Sequence, residues 1–454
     1  MSAERHSNEQ GHQLPNLKRL IPLVKPAGQM WLDGRISRVV GILAEAHLTG
    51  AAIGDLCHIE TPHGTIPAEV AGFSGESVLL MPLGELRGIA AGARVIRRGE
   101  TGRVAVGDEL LGRVIDGFGR PMDGKPLATP EYSRDLYAAP LSPLERRAVD
   151  QPLFLGIRVM DALLSCGQGQ RLGIFAGPGV GKTVLLSMIA RRAACDVMVL
   201  ALVGERGREV GDFVRSFAES EASGRTVIVA ATSDRPPLER LRAAHAATSI
   251  AEHFRDQGRS VLLVMDSLTR VAMAQREVGL AIGEPPTTKG YTPSVFAKLP
   301  PLLERAGAKA GGGSITGIYT VLMEGDDLAD PVADAAMAIL DGQIVLSRAL
   351  AGKGHYPAVD VLRSVSRVMP DVAAPTHLKA AQRFRAMLAT LSENEDLISI
   401  GAYESGKNPE LDRAIAFREA LMAFLQQDMG EFTPPADTLR WLTKFAGQLD
   451  EVMQ

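Results

Sequence analysis

The stretch LGIFAGPGVGKT, residues 172–183, decides the reading of this chain. Leu172 to Ala176 is an apolar run of strand type, and Gly177, Pro178, Gly179, Val180, Gly181, Lys182 and Thr183 follow as a turn. A helical pattern begins at Val184 and continues to Ala194. A glycine-rich turn between a strand and a helix lets backbone amides converge on phosphate oxygens, and the helix N-terminus favours their negative charge. Lys182 is placed to reach terminal phosphates and Thr183 to offer a hydroxyl to Mg²⁺. The strict pattern carries glycine where this chain has Ala176, so that position must adopt a backbone conformation that tolerates a Cβ. The expectation is a nucleoside triphosphate bound across residues 177–184.

Working outward, further apolar runs read as strands: residues 197–203, 226–231, 260–265, 314–322 and 343–346, most of them separated by helical segments. Buried strands alternating with helices imply an α/β domain with a mostly parallel sheet covered on both faces. The run Val261 to Met265 ends in Asp266, and a carboxylate at the carboxyl end of a sheet strand faces the phosphate site, where it holds Mg²⁺. The strand 197–203 ends at Gly204, Glu205, Arg206, Gly207, Arg208 and Glu209. Glu205 there can polarise a water for attack on the γ-phosphate; the same cluster also reads as a surface ion-pair group.

Before this domain, residues 34–99 show short β-type runs broken by glycine, the pattern of a small β-barrel. Trp31 and Phe73 are its only aromatic candidates, too few for a base-stacking surface. Residues 116–130 form a turn-rich connector. After Pro370, Leu378, Phe384, Met387, Leu388 and Leu391, then Leu411, Ile415, Leu421 and Leu425, recur at amphipathic helical spacing. The domain reading is therefore a docking segment 1–30, a barrel 31–100, an ATPase-type α/β domain 101–370 and a helical domain 371–454. In the first segment, Leu17, Leu20, Ile21, Leu23 and Val24 cluster, but Pro22 and Pro26 oppose a long helix.

With 454 residues, the chain exceeds one compact core and matches about three folding units. Its 46% hydrophobic and 22% charged residues are ordinary for a globular protein. A net charge of −4 offers no electrostatic case for wrapping nucleic acid. Cys57, Cys166 and Cys195 lack metal or disulfide spacing and read as small buried residues in a reducing cytoplasm. Residues 1–13 lack the apolar run of a secretory signal, and no run reaches the length of a membrane span.

The stretches GERGREV (204–210), KGYTPSVFAKLP (289–300), EGDDLADP (324–331), DGQIVLSR (341–348), HYPAVD (355–360) and SVSR (364–367) together resemble the flagellar and type III secretion export ATPases, relatives of the catalytic subunit of rotary ATP synthases. The resemblance runs from about residue 30 to the C-terminus. It implies ATP and Mg²⁺ as ligands, Glu205 as catalytic glutamate, and Arg206 and Glu209 near the phosphates and metal. Tyr356, an ordinary core aromatic on spacing alone, becomes the residue that packs on adenine. Arg367, otherwise a surface ion-pair residue, becomes an arginine finger inserted into the neighbouring subunit's site. The resemblance also implies a homohexamer, a stator-like negative regulator, a central stalk protein, an export gate and chaperone–substrate complexes as partners. The implied location is cytoplasmic, peripherally at the inner face of the cytoplasmic membrane.

Gly406, Lys407, Asn408 and Pro409 stand where ATP synthase subunits carry an acidic segment, which favours an export ATPase. Within that family the flagellar branch is the first expectation and virulence or symbiosis secretion the alternative. A ring-shaped RNA translocase and a non-hydrolysing structural subunit are the competing classes.

Overall fold

The computed structural model describes residues 33–100, 102–128, 130–323 and 330–451. The expected docking segment, Trp31 and most of the EGDDLADP stretch lie outside the described residues.

Six strands, β1 (Asp33–Val40), β2 (Leu43–His47), β3 (Asp55–Thr61), β4 (Gly64–Ser74), β5 (Ser77–Pro82) and β6 (Arg94–Glu100), close into a barrel in the order β1-β2-β5-β4-β3-β6. Alternation along β3, with Asp55, Cys57 and Ile59 inward, supplies its small interior. The tight β1–β2 turn uses Gly41 at φ 59, a left-handed conformation that costs a residue with a Cβ. Phe73 is exposed. Leu43, Leu79, Met81 and Leu83 pack into the core of the following domain, so the barrel is docked through apolar contact.

In the chain, two short ribbons, β7 (Arg103–Val106) with β9 (Tyr132–Asp135) and β10 (Pro152–Leu153) with β11 (Cys166–Gly167), precede the long strands of the central domain. Its main sheet runs from β8 (Val114–Ile115) through β14 (Thr226–Ala231), β13 (Val197–Val203), β15 (Ser260–Asp266), β17 (Ser314–Leu322), β12 (Arg171–Ala176) and β18 (Gly342–Leu346) to β19 (Val365–Ser366). Neighbours are parallel except β19, which is antiparallel to β18; β16 (Gly307–Ala308) pairs antiparallel with β17 off this path. Every residue of β13 and β14 is buried. These Val-, Leu- and Ala-rich strands have no polar face because helices cover both sides, and each fully buried Val or Leu contributes about 1.5–3 kcal/mol.

The helices of this domain are α1 (Arg158–Leu163), α2 (Lys182–Arg192), α3 (Gly207–Ala218), α4 (Pro237–Asp256), α5 (Leu268–Ala281), α6 (Pro293–Leu303), α7 (Pro331–Ile339) and α8 (Arg348–Gly352). Helix α2 starts and stops two residues before the expected 184–194, because Gly181 at φ 90 already serves as its N-cap. All five expected strands differ by one residue or less at their ends, with 197–203, 226–231 and 314–322 matching at both. The helical region follows, with α9 (Met369–Val372), α10 (Pro375–Glu393), α11 (Glu395–Ser399), α12 (Pro409–Ala416), α13 (Arg418–Leu425) and α14 (Pro435–Glu451). Phe384, Leu388, Leu391, Leu411, Leu421 and Leu425 are buried as their spacing requires, while Leu378, Met387 and Ile415 are partly buried. An aromatic stack gathers around them, with Phe424 and Trp441 at 4.3 Å between centroids.

All three cysteines are free and buried. Burial pushes the Cys57 thiol up to about 12 and Cys195 to about 11, so neither is a ready nucleophile. Among the described residues no helix is long and apolar enough to cross a membrane.

Candidate active site

The turn after β12 is shaped by Gly179 at φ 76 and Gly181 at φ 90, conformations that residues with a Cβ rarely adopt. Ala176 ends β12 and is fully buried in extended backbone, which is why a methyl group is tolerated there. Helix α2 opens at Lys182, so its first amides face the turn, the arrangement that receives anionic oxygen. Thr183 and Val184, in its first turn, are exposed.

Three parallel strand ends bring the charged groups together. Glu205 follows β13, Asp266 ends β15, and Lys182 follows β12, with β17 between β15 and β12. Lys182 Nζ hydrogen-bonds Asp266 Oδ1 and stands 3.4 Å from Glu205 Oε1. Their side chains are only 11%, 7% and 14% exposed for Lys182, Asp266 and Glu205, so one ammonium serves two secluded carboxylates. Burial pushes the Glu205 carboxyl above its ordinary range; the Asp266 charge adds to that, while the Lys182 and Arg270 charges oppose it. The Glu205 backbone is anchored by Gly204 N–H to Ala231 O at 2.7 Å and by Ser233 N–H to Glu205 O at 3.0 Å. Asp266 also accepts the Thr320 hydroxyl at 2.6 Å.

Arg206 and Glu209 are not drawn into this cluster. They open α3, are 81% and 49% exposed in their side chains, and face each other at 3.6 Å. Tyr356 does reach the turn: a Cβ built on Gly181 would lie 3.3 Å from its ring. Tyr356 is 45% exposed, and its main-chain carbonyl accepts the Gln427 amide at 2.9 Å.

Arg367 lies elsewhere. Ser366 pairs with Gly342 at the amino end of β18, whereas Ala176, at the phosphate turn, pairs with Leu346 at its carboxyl end. About 13 Å of strand separates the two levels. The Arg367 guanidinium contacts Met337 O at 3.4 Å. Its own chain's turn is thus at the opposite end of the sheet.

Sequence reasoning missed three neighbours. Arg270 packs on Gly204, where an added Cβ would lie 2.7 Å from Arg270 Cβ, and its charge bears on Glu205. Gln427, from the helical region, holds Tyr356 through its amide and the Gly156 and Arg158 main chain through its side chain. Thr320 was read only as part of an apolar strand. The signal available for it was a hydroxyl in a fully buried run; Arg270 and Gln427 had none, since long-range packing brings them in.

Fold and site define a P-loop nucleotide hydrolase of the kind with a barrel in front and a helical domain behind. The comparisons with known proteins agree: residues 156–366 match the ATP synthase alpha/beta family nucleotide-binding domain, 36–99 its beta-barrel domain, and 373–444 the C-terminal domain of the type III secretion ATPase EscN. The chain is 53% identical to the flagellum-specific ATP synthase of Pseudomonas aeruginosa over 88% of its length and 90% of that protein. It is 47% identical to the type 3 secretion system ATPase of Sinorhizobium fredii over 97% of this chain and 98% of that one. The structure of assembled EscN with its central stalk EscO, from enteropathogenic E. coli, superposes with a TM-score of 0.84 at 47% identity, covering 90% of this chain and 99% of the other. The chain belongs to the family of flagellum-specific and type 3 secretion ATPases, and it is a P-loop ATPase.

Proposed function

We propose that this ATPase works as a homohexameric ring that energises protein export through a flagellar-type secretion apparatus, at the inner face of the cytoplasmic membrane. The observation that carries the catalytic reading is the convergence of Lys182, Glu205 and Asp266 on one secluded point beside the phosphate turn. Residues 177–184 cradle the phosphates, Lys182 exchanges its carboxylate partners for phosphate oxygens, and Tyr356 packs on adenine. Glu205, freed of Lys182, accepts a proton from the attacking water. Thr183 and Asp266 offer the hard oxygen donors that suit Mg²⁺. When bound there, Mg²⁺ would supply positive charge to offset that of the phosphates. For Arg206 and Glu209, exposed here, the proposed roles remain those of a catalytic and a metal-associated residue near the phosphates and Mg²⁺.

Arg367 supports the ring. Placed at the far end of its own sheet, it completes a neighbour's site, and an arginine finger is worth about 10³–10⁵ in rate. In the relative EscN an assembled form carries a central stalk, and a stalk protein, a stator-like regulator, an export gate and chaperone–substrate complexes are the partners proposed for this chain. The higher identity to the flagellar relative supports the flagellar branch over virulence or symbiosis secretion. Deleting the gene in its native host tests this: swimming and filament export are expected to stop. Normal motility with loss of another secreted set overturns the flagellar assignment.

A further inference from the structure

Within the β17 strand, SITGIYTVL, two threonines are fully buried, and they do different things. Thr316 satisfies main chain, accepting Gly169 N–H at 2.9 Å and donating to Gly167 O at 3.5 Å. Thr320 has one hydroxyl proton and two acceptors in range, Asp266 Oδ1 at 2.6 Å and Met265 O at 3.4 Å. The shorter, charge-assisted contact takes it. Met265 pairs with Tyr319 in the parallel ladder, so Thr320 and Asp266 stand side by side where both strands approach the phosphate turn.

The Asp266 carboxylate is therefore held at one oxygen from two sides. Lys182 reaches Oδ1 from helix α2, and Thr320 reaches the same atom from the neighbouring strand. Neither uses Oδ2. These two donors are not equivalent in a working cycle. Lys182 sits at the end of a long flexible stem and has phosphate oxygens to go to, whereas Thr320 is locked in a sheet and β-branched, with a stiff χ1.

We propose that Thr320 is a positioning residue for the metal-binding carboxylate. It keeps Asp266 oriented, with Oδ2 presented to Mg²⁺, at the stage when Lys182 has left for the nucleotide. This inference rests on the assignment of Asp266 to Mg²⁺ made above. Without the hydroxyl, the carboxylate loses its only fixed donor of the two, and Mg²⁺ must organise the group itself.

The test uses the purified full chain and a fluorescent ATP analogue, with Mg²⁺ titrated at fixed nucleotide and affinity also measured in EDTA. Valine matches threonine in shape and favours strands, so Thr320→Val preserves the ladder; its melting temperature without nucleotide checks this. Thr320→Val is expected to raise the Mg²⁺ concentration for half-maximal binding about ten-fold, the low end for a lost hydrogen bond to a charged group. Affinity in EDTA stays at the wild-type value, Thr320→Ser recovers most of the Mg²⁺ response, and Asp266→Asn shifts it at least as far as valine does. A Thr320→Val midpoint within two-fold of wild type, while Asp266→Asn shifts, overturns the inference alone. Equal losses in Thr320→Val and Thr320→Ser, or an equal loss in EDTA, also overturn it, because packing would then be the cause. If Asp266→Asn leaves the midpoint in place, the metal assignment itself falls, and this inference with it.

Discussion

Replacing Glu205 with glutamine isolates one chemical function from the geometry that surrounds it. The amide has the size of the carboxylate, and its oxygen can still accept from Lys182, which stands 3.4 Å away. Lys182 also keeps its bond to Asp266. The phosphate turn, its glycines and helix α2 are untouched. What disappears is the base, and with it one of two negative charges crowded against a single ammonium. A positioned general base contributes about 10²–10⁴ in rate, which is about 3–5 kcal/mol of transition-state stabilisation. Glu205→Gln is therefore expected to lower the single-turnover hydrolysis rate by at least 100-fold while nucleotide affinity stays equal or rises, since the crowding with Asp266 is relieved. Equilibrium binding of a fluorescent ATP analogue and quenched-flow hydrolysis on the same preparation separate the two quantities. A rate reduced less than ten-fold refutes the role given to Glu205. Parallel loss of binding and hydrolysis refutes the claim that the carboxylate acts on water rather than holding the site together.

Two further outcomes are open to measurement. Arg367→Ala and Lys182→Ala proteins, each nearly inactive, are expected to regain hydrolysis when mixed, because a ring of both contains interfaces with an intact turn facing an intact arginine; activity no higher mixed than separate removes the shared site. Asp161, in α1, is buried against the amides of Leu155 and Gly156, and burial pushes its carboxyl up to about 7. A carboxyl raised in the folded state lends stability below its unfolded value near 4 that is lost as pH rises through the folded one. From pH 5 to pH 8 that loss amounts to about 3 kcal/mol. Urea unfolding at the two pH values should show a fall in stability larger in wild type than in Asp161→Asn by that amount, because other buried carboxyls such as Glu69 titrate in both proteins; equal falls in the two proteins would rule it out.

The strands of the central sheet were legible because they are buried on both faces, so each is a mainly apolar run, even where threonines interrupt it as in β17. The phosphate turn was legible because its chemistry is contiguous: strand, glycines, lysine and helix lie within a dozen residues. Glu205 and Asp266 could be placed at strand ends, but that Lys182 bridges them depends on the strand order, which no local pattern encodes. Arg270, Gln427 and Thr320 escaped for the same reason. Each is unremarkable in its own segment and acquires its role from a neighbour dozens or hundreds of residues away. The helix start was misplaced by two residues because Gly181, which reads as part of the loop, also caps the helix.

The segment between α13 and α14 has a wider reach than its length implies. Gln427 is joined to the Tyr356 carbonyl and to Gly156, Met429 O accepts from Arg192 at the end of α2, and Arg158 is tied to Glu431. One short stretch of main chain thus ties the helical bundle to the Tyr356 side, to the end of α2 and to the start of α1. The tyrosine ring beside the glycine turn and the helices behind it therefore share their anchorage, and neither can be repositioned without the other's ties being broken.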